Sequence, residues 1–82
     1  MERLKITLTA SDYHQCVNLC LRGHSHASTI NRAQVLLALH DGVDISEVMR
    51  VLRVKRTRLW RLRKQYLQGG LNDALADRRR RS

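Results

Sequence analysis

The chain has 82 residues, enough for one domain of three to five helices around a thin core, but hardly for a catalytic cleft walled on all sides. It contains no proline or phenylalanine and only four glycines, which argues against a turn-rich β-sandwich and for helices on short connections. Net charge is +9, and its placement matters more than its size: residues 1–49 hold four basic and five acidic side chains, residues 50–82 twelve and two. An excess of +10 in one part of the chain against −1 in the rest points to a polyanionic partner, nucleic acid ahead of an anionic membrane. No stretch nears the roughly 20 apolar residues of a membrane span, and the N-terminus lacks the apolar core of a secretory signal. The expected location is cytosolic, or nuclear in a host with a nucleus. Neither a membrane nor a small-molecule substrate is expected as partner.

Residues Leu4 to Leu8 alternate apolar and polar side chains, which suits an extended segment too short to define a sheet. Thr9 and Asp12 then have the spacing of a capping box, and a first helix is expected from Ala10 to Arg22, ending at Gly23. Its inner face would use Tyr13, Cys16, Leu19 and Cys20. After the connection His24 to Ala27, a second helix is expected from Ser28 to His40, with Ile30, Ala33, Leu36, Leu37 and Leu39 inward. Its run VLLAL is the most apolar in the chain and marks it as the central helix. Asp41 and Gly42 end it. Asp44 and Glu47 make a second box-like cap before a short helix, Ile45 to Leu52. Arg53, Val54 and Lys55 form a tight turn, and a fourth helix runs from Arg56 to Gln68, stopping at Gly69 and Gly70. Leu71 to Ala76 adds one further turn of helix. The tail Arg78, Arg79, Arg80 and Arg81 has nothing to fold it, so residues 78–82 are expected to be a disordered basic arm on a domain of residues 1–77.

Two helices joined by three residues are the minimal helix-turn-helix, here about residues 45–68, in which the second helix can enter the DNA major groove. Val48, Leu52, Val54, Leu59 and Leu62 supply the apolar set that would hold the pair at a steep angle. At about 100° per residue, Leu59, Leu62 and Tyr66 point within about 60° of one another, inward. The opposite stripe is Thr57, Trp60, Arg61, Lys64 and Gln68, flanked by Arg56, Arg58 and Arg63, with no acidic residue. Arginine can bond guanine in a fork while other cations neutralise phosphate. Arg56, Thr57, Trp60 and Arg61 are therefore expected at base edges, and Lys55, Arg58, Arg63 and Lys64 mainly at phosphates. Trp60 has two open readings: packing on its own helix or a second subunit, or contact with thymine methyls or sugar. The arginine tail is expected to track phosphates. A Cys₂His₂ site from Cys16, Cys20, His24 and His26 is sterically imaginable, but both cysteines occupy apolar core positions, where cysteine acts as a small hydrophobe. No metal or other cofactor is expected.

Three stretches, ITLTASD, NRAQVLLALHDG and ISEVMRVLRVKRTRLWRLRKQYLQGGLNDALADR, resemble the N-terminal DNA-binding region of bacterial insertion-sequence transposases of the mariner superfamily. The likeness spans about residues 6–79, and its most specific pieces are RAQVLLAL, the helix-turn-helix and the YLQGGLNDALADR ending. It implies an all-α, homeodomain-like or paired-like bundle of four to five helices that recognises the terminal inverted repeats of a transposon in a bacterial cytoplasm. It also implies that Val48, Leu52, Val54, Leu59 and Leu62 form the motif's core and that Arg56, Thr57, Trp60 and Arg61 face DNA. Met49 stands where that family has a small alanine, Arg53 where it has the turn glycine, and Leu62 where tryptophan is frequent.

These 82 residues leave no room for a transposase catalytic domain, and the carboxylates are scattered without a nucleophile–base pair, so no enzymatic activity is expected of this chain. The resemblance leaves an excised domain or a free-standing repressor or accessory protein as alternatives. Two readings of other kinds also stand: a sequence-neutral nucleic-acid coat, and a protein-interaction domain whose basic face meets an acidic partner. A homodimer would set two recognition helices about 34 Å apart on one DNA face, and no long exposed apolar seam demands one.

Overall fold

The computed structural model describes residues 6–23 and 27–75. Four helices follow in order, α1 (Ala10–Arg22), α2 (Ala27–His40), α3 (Ile45–Leu52) and α4 (Arg56–Leu75), with no strand among the described residues. Helix α2 lies at the centre and packs against each of the other three.

The helix ends follow from local chemistry. Thr9 is extended and its Oγ1 accepts from the Asp12 N–H at 3.1 Å, while Gly23, left-handed at φ 67°, donates to the Leu19 carbonyl at 3.2 Å. Asp44 starts α3 by accepting from the Ser46 N–H at 3.2 Å. The acidic partners of the two expected boxes turn elsewhere. Asp12 reaches the Tyr66 hydroxyl, and Glu47 pairs with Arg50 at 2.7 Å. A carboxylate has more to gain from a cross-chain donor or a cation than from one backbone N–H.

Helix α2 begins at Ala27, one residue before the expected start. Its buried residues are Ala33, Val35, Leu36 and Leu39. Val35 was not expected inside, and Ile30 and Leu37, which were, are only half-buried. A helix enclosed by three neighbours buries a broad arc, so the narrow stripe that marks a surface helix misplaces residues at its edges. Tyr13 is a further correction. It was expected on the inner face of α1, yet 37% of it is exposed, its ring lying edge-on to His40 at 5.3 Å. Only Cys16 of α1 is fully buried, with Leu19 and Cys20 packed partly against the core.

The segment before α1 is extended, as its alternation requires: Ile6 and Leu8 are buried, Thr7 and Thr9 exposed. It pairs with no strand among the described residues. The Leu8 N–H instead donates to His40 Nδ1 at 3.1 Å, which satisfies a backbone donor that burial would otherwise strand. Leu4 lies outside the described residues.

Helix α4 breaks at Gly70, whose φ 82° and ψ −174° fall in a region essentially reserved for glycine. The break comes where the glycine pair placed the stop, and the chain then coils again so that Leu71, Ala74 and Leu75 return to the core. At Gly69 a Cβ would stand 2.6 Å from the Cβ of Asp73, so the close approach of these two residues requires glycine there. Ala76, expected to close the last turn, lies outside the described residues.

One bond ties the two ends of the fold together. The Tyr66 hydroxyl on α4 donates to Asp12 Oδ2 on α1 at 2.6 Å, 54 residues away in sequence. Burial first, and then this bond, pushes the phenol above its ordinary pKa, with the Thr9 backbone opposing. A group whose pKa is raised on folding stabilises the fold while protonated and loses that contribution as pH climbs through its folded value. Tyr66→Phe should therefore cost about 1–2 kcal/mol at neutral pH. The gap between wild type and variant in thermal melts should close above the ordinary tyrosine range, about pH 10.

Candidate nucleic-acid interface

The turn between α3 and α4 is built around Arg53, left-handed at φ 57° and ψ 49°. Arg53 donates to the Met49 carbonyl, and the Val54 N–H reaches the same carbonyl at 3.3 Å. The Arg53 bond is the 5→1 closure of an αL cap and the Val54 bond has the 6→1 span of a Schellman motif, while Val54 is buried in the core and Met49 packs partly against it. Asn31 of α2 caps from outside, its Nδ2 contacting the Leu52 carbonyl at 3.5 Å. The Lys55 carbonyl then accepts from Arg58 and Leu59 at 3.0 and 3.3 Å, and α4 begins.

Helix α4 is phased by its apolar side. Leu59, Leu62 and Tyr66 are buried. Thr57, Trp60, Arg61, Lys64 and Gln68 are all exposed on the other side. Lys55 and Arg56 are exposed as well, while Arg58 and Arg63 are half-buried on the flanks. From Lys55 to Gln68 the surface carries no acidic residue. The structure thus exposes six of the eight expected residues of the turn and helix and sets Arg58 and Arg63 on opposite flanks, about 140° apart. Arg78, Arg79, Arg80 and Arg81 lie outside the described residues.

The two flanks of this surface differ. On one, Trp60 (44% exposed) and Leu67 (57% exposed) are seven residues apart, hence within about 20° of each other around the helix. On the other lies an open groove of about 610 Å³ between α2, the turn and α4. Five of its nine lining residues are cationic (Arg32, Arg53, Lys55, Arg58 and Arg61) and none is acidic. Gln65 lies within it, its Oε1 enclosed and accepting no hydrogen bond. Arg32, Arg53 and Gln65 were not among the expected site residues. For Arg53 a signal existed, a non-glycine at a turn position that wants positive φ. Arg32 sits 21 residues upstream on another helix, and no local pattern could have joined it to the site.

The cysteines show a different chemistry. Cys16 is fully buried, and its thiol is pushed up to about 11 by burial first, then by Cys20 and Asp12. Burial also raises Cys20. Metals bind the thiolate, so this surrounding favours neutral packing groups. His24 and His26 lie outside the described residues, and no cluster of metal-binding side chains occurs among the described ones. Nor is any described helix long and apolar enough to cross a membrane.

Two helices at a three-residue turn, the second offering a cationic, acid-free face, define a helix-turn-helix protein, a class whose partner is DNA. A family profile described as a helix-turn-helix domain matches residues 31–82, most of the chain, and the chain belongs to that family. Comparison with curated proteins returned no match, and comparison with solved structures returned none either.

The phase of α4 makes a direct prediction. Leu59→Ala should lower unfolding stability by about 2–5 kcal/mol, whereas Arg61→Ala should change it by no more than about 0.5 kcal/mol. Urea unfolding followed by circular dichroism measures both.

Proposed function

We propose that this chain binds double-stranded DNA sequence-specifically by laying α4 in the major groove. The observation that carries the reading is the exposed face of α4 from Thr57 to Gln68, which offers cations and hydrogen-bond donors with no carboxylate. The first turns of α4 reach deepest, so Arg56, Thr57, Trp60 and Arg61 take the base edges. Lys55, Arg58, Arg63 and Lys64 take phosphates, and the arginines at 78–81 follow the backbone as a trailing arm. The chain acts by binding and catalyses nothing itself.

The most specific form of the reading is recognition of transposon terminal inverted repeats, as the DNA-binding part of a transposase. Its support is the resemblance across about residues 6–79, together with a helix-turn-helix that buries four of its five expected core positions, Val48, Val54, Leu59 and Leu62, and leaves Leu52 half-buried against them. A free-standing regulator on an operator uses the same surface. The two separate by site symmetry, because a dimeric regulator reads a palindrome with half-sites one helical turn apart.

Salt titration on matched and scrambled duplexes tests the central claim. With about six phosphates neutralised, log K should fall against log salt with a slope near −5, and the true site, found by selection from a random duplex library, should be preferred by at least about 10³. Arg61→Ala should cost about 1–3 kcal/mol on the selected site and relax choice at one or two base pairs. A steep slope without preference would instead describe a sequence-neutral coat, and no duplex binding at all would leave an acidic protein as partner.

A further inference from the structure

The turn residue Arg53 holds a backbone conformation that costs an L-residue stability, at φ 57°. Among the described residues no hydrogen bond or ion pair requires a side chain there. It is exposed, and its backbone alone closes the turn, with the Met49 carbonyl. Glycine would make the same closure without strain. Strained residues persist where a side chain has a use, and they cluster at functional sites. The Arg53 side chain lines the groove between α2 and α4, whose opposite wall is Arg32 and whose α4 side carries Arg58 and Arg61. The groove is about 610 Å³ in volume and open to solvent. That is more room than one small anion needs, and it is open enough to admit a continuous chain.

We propose that this groove seats a phosphate–sugar strand of the bound duplex, and that Arg53 is a phosphate-contacting residue kept at the turn despite its backbone strain. The inference rests on the duplex-binding reading above and extends its surface, since the groove shares Lys55, Thr57, Arg58 and Arg61 with the recognition face and adds Arg53 and Arg32. The strand so held runs past α2 as well as α4, so the groove sets the angle at which α4 enters the DNA. A guanidinium suits this place because it stays charged and can bond two phosphate oxygens at once. Contacts of this kind carry no sequence information.

The test uses the full chain with Arg53→Gly, Arg53→Gln and Arg53→Lys, on matched and scrambled duplexes across a salt series. Arg53→Gly should raise Tm by roughly 4 °C, yet bind both duplexes about fivefold more weakly near 0.15 M salt, the loss expected for one phosphate contact. Arg53→Gln, which keeps the strained backbone and a side chain, should weaken both duplexes to the same degree, and in both neutral variants the salt slope should shrink by about 0.9. Arg53→Lys should return affinity to within about twofold of wild type. Unchanged affinity and slope in Arg53→Gln would overturn the groove assignment while leaving duplex binding intact. So would weakening confined to the matched duplex, or a loss that lysine fails to restore, since these point to base reading or to a disturbed turn. A wild-type chain that binds no duplex would overturn both proposals together.

Discussion

The rotation of α4 about its own axis is the constraint on which the rest of the molecule depends. Leu59, Leu62 and Tyr66 set it by burying one side of the helix against a core centred on α2. Every other property of the surface follows from that choice. With three inward positions taken, Thr57, Arg61 and Lys64 have no direction left except outward. The apolar side contributes stability by removing surface from water, and the polar side is thereby free to be chosen for its charge. In so small a domain the two roles sit on the same helix, about half a turn apart.

Three further devices hold this phase. At the far end of the helix side chains, the Tyr66–Asp12 bond reaches across 54 residues of sequence to α1, so α4 is fastened to an element outside the helix-turn-helix itself. At its end, the glycine break at Gly70 lets Leu71, Ala74 and Leu75 fold back onto the core, where an uninterrupted helix would carry them into solvent. At its start, the turn uses Arg53 in a left-handed conformation and recovers part of the strain through the burial of Val54. The helix is thus fixed at both ends by backbone geometry and along its length by packing.

The charge distribution is uneven in space as well as in sequence. One flank of α4 presents Trp60 and Leu67, the other a cationic groove that borrows Arg32 from α2. A flat cationic helix would attract DNA without orienting it. A helix with unlike flanks has a preferred hand in which to approach a strand, so shape adds to what charge alone supplies.

Local signals settled much of this fold in advance. Caps at Thr9 and Asp44, stops at Gly23 and the Gly69-Gly70 pair, and the 3.6-residue spacing of Leu59, Leu62 and Tyr66 each act within a few residues of where they are written, and the helices begin and end close to where those residues stand. The inward side of α2 was less legible, since a helix with three neighbours has no single polar stripe to betray its phase. Long-range pairings left no trace at all: Asp12 read as a partner for its own helix end until folding brought Tyr66 to it, and no local pattern joined Arg32 to the turn that came to rest beside it. Amino-acid order therefore determined the helices, the turn and the sign of the exposed face, because those depend on neighbours in the chain. Only the tertiary structure decided which carboxylate meets which hydroxyl and which arginines share a groove, because those depend on distances that the chain closes when it packs.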